Sequence, residues 1–123
     1  MTREQLAQVW PQLLEHGVQW RDGMAGTFTP RGNTWRAVNC LGDTWSYQFS
    51  WSTARRPKAA QRRNALPDLE DPATVGCLLA EAVRLVEPEI LVTNLLVKYG
   101  THDDAGVALV QLLAWHLVVE WPD

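Results

Sequence analysis

From Trp45 to Ser52 apolar and polar positions alternate without a fault: Trp45, Tyr47, Phe49 and Trp51 are separated by Ser46, Gln48 and Ser50, and Ser52 closes the run. Successive side chains on a strand point to opposite faces, so the pattern predicts a strand with four rings on one side and small polar groups on the other. A preceding strand over Asn33 to Leu41 makes it a hairpin. If Gly42-Asp43 is a two-residue II′ turn, Leu41 faces Thr44, and Arg36, Val38 and Cys40 join the aromatic side. If the loop is Leu41-Gly42-Asp43, Trp35, Ala37 and Asn39 take that side instead. Glycine at the first central position favours the II′ turn, which would leave Trp35 exposed on the polar face.

A period near 3.6 governs other stretches. Thr2 and Gln5 form a capping box ahead of Leu6, Val9, Trp10, Leu13 and Leu14, which predicts a helix ending near Gly17. Pro11 deletes a backbone donor inside it and should kink the helix or split it at Trp10. A weaker strand is expected around Ala25 to Thr29, before a Thr29-Pro30-Arg31-Gly32 turn. Asp71 as N-cap and Pro72 at the first helical position open a second helix, 72 to 87, with Val75, Leu78, Leu79, Ala82, Val83 and Val86 on one stripe. Glu89 to Lys98 reads as a strand buried on both faces. Thr101 and Asp104 suggest another capping box for a last helix reaching about Glu120. That helix is apolar nearly all round, so the 103–120 segment is expected to be shared with a second copy in a homodimer. The elements predict one α+β domain over 1–123, ordered α-β-β-β-α-β-α, with helices on one face of a small mixed or antiparallel sheet.

Thr53 to Leu69 carries neither period and is expected to be a long loop, of a length that is usually functional or mobile. Charge makes it unusual. The chain has net charge −3, yet five of its eleven basic residues, Arg55, Arg56, Lys58, Arg62 and Arg63, lie here, and no acid occurs from Thr44 to Pro67. The remainder carries about −8 once those five charges are taken from the net value. Such a balance argues against a protein that coats nucleic acid over its whole surface. A local cationic segment can instead meet an acidic protein, single-stranded nucleic acid, a small anionic ligand, or only water. The aromatic row could stack bases beside it. An apolar stripe at structural spacing is more often packing, and the helices need a face to cover.

Catalytic chemistry has little to stand on. His16, His102 and His116 are far apart and form neither HxxxH nor HExxH, and Gly23-Met24-Ala25-Gly26 lacks the spacing and lysine of a phosphate loop. His102-Asp103-Asp104 and Asp68-Leu69-Glu70-Asp71 resemble cation-binding runs, but helix capping explains their acids. Cys77 lies near a helix start, which can activate a thiol, although no histidine accompanies it and an unreactive half-buried thiol is expected. Cys40 and Cys77 have no ligand spacing and suit a reducing cytosol. The longest apolar run, Ala105 to Val119, falls short of the about 20 residues needed to span a bilayer. No metal, cofactor or catalytic residue is assigned, and a cytoplasmic protein is expected.

The run Leu66-Pro67-Asp68-Leu69-Glu70-Asp71-Pro72-Ala73-Thr74-Val75-Gly76-Cys77-Leu78-Leu79 resembles a motif of small uncharacterised proteins encoded by bacteriophages and prophages. The likeness covers about the second half of the chain, and Glu81-Ala82-Val83-Arg84 departs from the pattern. The resemblance implies a mobile-element origin and action by binding a host or defence protein; it transfers no catalytic residue. The expected contact surface is Arg55, Arg56, Lys58, Arg62 and Arg63 with Trp35.

Overall fold

In a computed structural model the described residues are 1–90 and 104–122. They form a small α+β domain: α1 (Arg3–Glu15), β1 (Ala25–Thr27), β2 (Trp35–Leu41), β3 (Thr44–Gln48), α2 (Ala59–Asn64), β4 (Leu66–Pro67), α3 (Pro72–Leu85) and α4 (Ala105–His116). The four strands make one antiparallel sheet in the order β3-β2-β1-β4. Its aromatic face meets the helices in a single core: Leu6, Val9, Trp10 and Leu13 of α1, Leu78 and Ala82 of α3, and Leu109, Val110 and Leu113 of α4 join Trp35, Trp45 and Tyr47.

The predicted caps form. Thr2 Oγ1 accepts from Gln5 N at 3.1 Å while Thr2 N donates to Gln5 Oε1 at 2.9 Å. Asp71 Oδ2 accepts from Thr74 N at 3.0 Å, with Pro72 in the first turn. Pro11 does not split α1, which runs through it from Arg3 to Glu15. Burial of Leu6, Val9, Trp10 and Leu13 outweighs the one missing donor. α4 starts from Asp104 itself, whose carboxylate accepts from Val107 N at 3.1 Å, and stops at His116 rather than near Glu120. The proposed partner Thr101 lies outside the described residues. So does the strand expected over 89–98, apart from its first two residues, which are helical.

The hairpin turn is as expected and its register is not. Leu41 faces Thr44, and Gly42, at φ 63°, supplies the positive φ that a II′ turn requires at its first central position. Asn39 then adopts φ 55°, and a β-bulge between Val38 and Leu41 shifts the pairing to Val38↔Ser46 and Ala37↔Tyr47. A shift of one residue moves every side chain to the other face. Trp35 and Ala37 therefore join Trp45 and Tyr47 in the core, and Trp35 is 0% exposed. The expectation that Trp35 lies open on the polar face is wrong for this reason.

The segment from Gly17 to Met24, leading into Ala25 at the start of β1, has little regular structure, so its backbone groups need partners from elsewhere. Helix α3 supplies them from residues spaced three or four apart. Thr74 Oγ1 accepts from Ala25 N at 2.8 Å, Cys77 Sγ donates to Asp22 O at 3.6 Å, and Glu81 Oε1 accepts from Gln19 N at 2.7 Å. Arg84 spans Gly17 O and, at 2.7 Å, Glu81 Oε2. At the head of this stripe Arg36 clasps Asp71 with two bonds of 2.6 and 2.8 Å.

That clasp has a pH signature. The Arg36 guanidinium, with the Thr74 backbone N–H behind it, holds the Asp71 carboxyl below its ordinary range against the opposing effect of burial. A carboxyl whose pKa falls on folding adds stability that is fully present above its unfolded pKa, about 4, and is lost as pH drops through the folded value. The denaturation midpoint should therefore fall below about pH 4. In Asp71→Asn the fall should be shallower, and an equal dependence of the urea midpoint on pH in the two proteins would disprove the assignment.

Candidate functional site

The segment predicted as one loop, 53–70, is in fact built and anchored. Its start lies on the outer edge of β3: Tyr47 N donates to Arg55 O at 2.8 Å and Arg55 N donates to Tyr47 O at 2.9 Å, an antiparallel bridge. Lys58 N donates to Gln61 Oε1 at 2.8 Å ahead of the short helix α2. Gln61 Nε2 reaches the Tyr47 hydroxyl at 3.4 Å. Beyond α2, Ala65 and Leu66 are buried, and Leu66–Pro67 becomes β4, paired to β1 through Thr27↔Leu66 and Gly26↔Pro67. Because β3 and β4 are the two edges of the sheet, the chain crosses from one edge to the other, about 14 Å at ordinary strand spacing. The period-free reading missed α2 and β4 because six and two residues are too short to show a period.

The five cations ride on this strap. Arg55, Arg56, Lys58, Arg62 and Arg63 are all exposed. Among the described residues, the ion pairs are Arg36 with Asp71, and Arg21 and Arg84 with Glu81; none involves the strap. The structure thus brings the five predicted cations onto one anchored segment and removes Trp35 from it.

An aromatic group that sequence reasoning put in the core takes its place at the surface. The row divides along its length: Trp45 and Tyr47 are buried, Phe49 is half-buried, and Trp51 is 68% exposed. The strand ends at Gln48, and Phe49-Ser50-Trp51-Ser52 forms a turn in which Ser52 N donates to Phe49 O at 3.2 Å and Phe49 N to Ser52 Oγ at 3.2 Å. Gln48 Nε2 adds a bond to Ser52 O at 3.0 Å. The rings of Phe49 and Trp51 stack, centroids 5.1 Å apart and planes within 11°, and Phe49 meets Tyr47 edge-on at 5.8 Å. Two serines flanking Trp51 were the available sign that the strand gives way to a turn here.

Directly opposed residues of an antiparallel pair share a face, so Arg55 stands on the same side of β3 as Tyr47, against whose ring Phe49 packs. Arg55 and the stacked rings consequently share Tyr47 as a neighbour. That neighbourhood offers positive charge and planar apolar area.

The other titratable candidates are held elsewhere. Burial, ahead of the Asp22 carboxylate, pushes the Cys40 thiol up to about 12, and burial also raises Cys77; both are free thiols. Raised values keep them protonated and weakly nucleophilic near neutral pH. His16 bonds Gln12 O through Nδ1 at 2.7 Å, and His116 sits half-buried in the last turn of α4. His102 and Asp103 lie outside the described residues. Asp68 accepts from Glu70 N, and Asp71 is committed to Thr74 and Arg36. Among the described residues no three His, Cys, Asp or Glu side chains converge on a possible metal site, and no helix is long and apolar enough to cross a membrane.

Compared with protein-family models, curated proteins and solved structures, the chain matches none.

Proposed function

We propose that this is a non-catalytic binding protein of the phage or mobile-element type, acting in the cytoplasm on a host or defence protein that it holds through an acidic surface. The single observation that carries the reading is the strap: five exposed cations with no carboxylate partner among the described residues, on a segment anchored at both ends. Unpaired like charges repel one another, and a partner carboxylate gathers charge-assisted bonds from side chains whose backbone is already ordered.

Single-stranded nucleic acid is the second reading, favoured by the open ring of Trp51. It is weaker, because stacking platforms use successive rings and here Trp45 and Tyr47 are covered. A long polyanion would also overrun the strap onto a remainder carrying about −8. Capture of a small anion by the arginines is a third use of the same charges. Pairing of two copies through the 103–120 helix belongs to the proposal as well. Its support is Trp115, 62% exposed, since α4 otherwise buries most of its apolar residues within the chain.

Replacing Arg55, Arg56, Lys58, Arg62 and Arg63 together by glutamate should leave the far-UV circular dichroism unchanged and abolish retention of host proteins on the immobilised domain. Undiminished retention would refute the strap's role. In parallel, an oligothymidylate titrated at rising salt separates the two macromolecular readings. If all five cations met phosphates, log K would fall with log salt at a slope of about −3.5. Binding of that kind would transfer the strap to nucleic acid.

A further inference from the structure

Trp51 is costly where it stands, and the chain holds it there. A tryptophan 68% exposed leaves most of an apolar surface in water, and collapse of the ring onto the domain would recover it. Three hydrogen bonds to the Ser52 backbone and hydroxyl fix the turn instead. The Phe49 ring backs Trp51 in parallel at 5.1 Å, and Phe49 is itself wedged against Tyr47. The result is a flat ledge with one ring face supported from below and the other open, already in place before any partner arrives. Through Phe49 it adjoins Tyr47, the residue whose backbone Arg55 bridges.

We propose that the Phe49–Trp51 ledge is a specificity subsite that takes a ring-bearing side chain flanking the acidic segment bound by the strap. The inference rests on the protein-partner reading above and adds a second requirement to it. Carboxylates alone would bind any acidic sequence, with little discrimination and strong dependence on salt. A ring laid on Trp51 contributes dispersion and apolar burial, which salt does not screen, and it fixes the register of the acidic run along the strap. Rigid aromatic anchors beside charged contacts are the usual composition of a binding hot spot. The occupant is therefore a short acidic segment of a protein with a phenylalanine, tyrosine, tryptophan or proline next to its carboxylates.

Two synthetic peptides of equal negative charge test this, one with phenylalanine and one with serine at the same position beside the glutamates. Their affinities for the full chain are read by fluorescence anisotropy, with oligothymidylate as the third ligand. The phenylalanine peptide should bind between about three- and tenfold tighter, and the preference should survive added salt. Trp51→Ser should erase the preference and leave the serine peptide's affinity unchanged; because Trp51 is a surface residue, the variant is expected to fold. Equal affinities for the two peptides, or a preference that persists in Trp51→Ser, overturn the ledge while leaving the acidic-partner reading standing. Binding of oligothymidylate with binding of neither peptide overturns both.

Discussion

Trp35→Ala is expected to lose about 3–5 kcal/mol of stability, which takes most or all of the total if that lies near the lower end of the usual range of about 5–15 kcal/mol. The indole is wholly buried and touches four other rings: Phe28 at 4.9 Å, Trp45 at 5.1 Å, Trp20 at 5.2 Å and Tyr47 at 6.1 Å between centroids. Its far edge rests on Gly26, where even a methyl group would come within 2.6 Å of the ring. Truncation therefore opens a cavity at the point where β1, β2 and β3 meet, and rings fixed by one another cannot collapse to fill it. Trp35→Phe should recover a large part of the loss, because the indole N–H has no hydrogen-bond acceptor to forfeit. Urea unfolding followed by far-UV circular dichroism measures both. An exposed Trp35 would cost less than about 1 kcal/mol, so the experiment decides directly between the two registers of the hairpin.

Glu81→Ala is expected to cost about 2–4 kcal/mol. The carboxylate is 1% exposed and serves three donors: Gln19 N at 2.7 Å, Arg84 Nε at 2.7 Å and, more loosely, Arg21 Nη1 at 3.7 Å. Removing it leaves the Gln19 N–H unpaired and strips two guanidinium groups of their counterion. Those groups are 41% and 43% exposed and can turn to water, which keeps the cost below that of a fully enclosed pair. Glu81→Gln retains an acceptor for Gln19 N while losing the charge, and should cost about half as much. Equal losses for glutamine and alanine would mean that charge, rather than the backbone bond, dominates. Denaturant midpoints at neutral pH give the comparison.

These two residues also mark where sequence reasoning stopped. Caps, turns and amphipathic helices are local, and Thr2, Gln5, Asp71, Pro72 and Gly42 announced theirs correctly. The face of β2 depends on a bulge, and the residue carrying it, Asn39, was the one clue: asparagine tolerates a positive φ better than most. The stripe Asp71, Thr74, Cys77, Glu81, Arg84 was masked by the apolar stripe beside it, although an acid three residues before an arginine in an otherwise apolar helix is a sign of a buried pair. It could not be read as a ladder, because its partners are backbone groups of a segment about 60 residues away, and a sequence does not display them. The site divided the same way: the cations were found by composition, whereas the emergence of Trp51 from the row required knowing that the strand stops at Gln48.

The bridge between Tyr47 and Arg55 carries one more implication. Extended in the same antiparallel register, the next outward-facing residue of β3, Trp45, would be opposed by Pro57, which has no N–H to offer. The strap thus blunts the β3 border of the sheet against other chains and then veers away, so that strand-to-strand stacking of copies has no start along that border. A ligand that peeled the strap loose would uncover an adhesive ribbon rich in aromatic residues. The recognition proposed above therefore requires the strap to stay seated, and variants that loosen it should precipitate before they fail to bind.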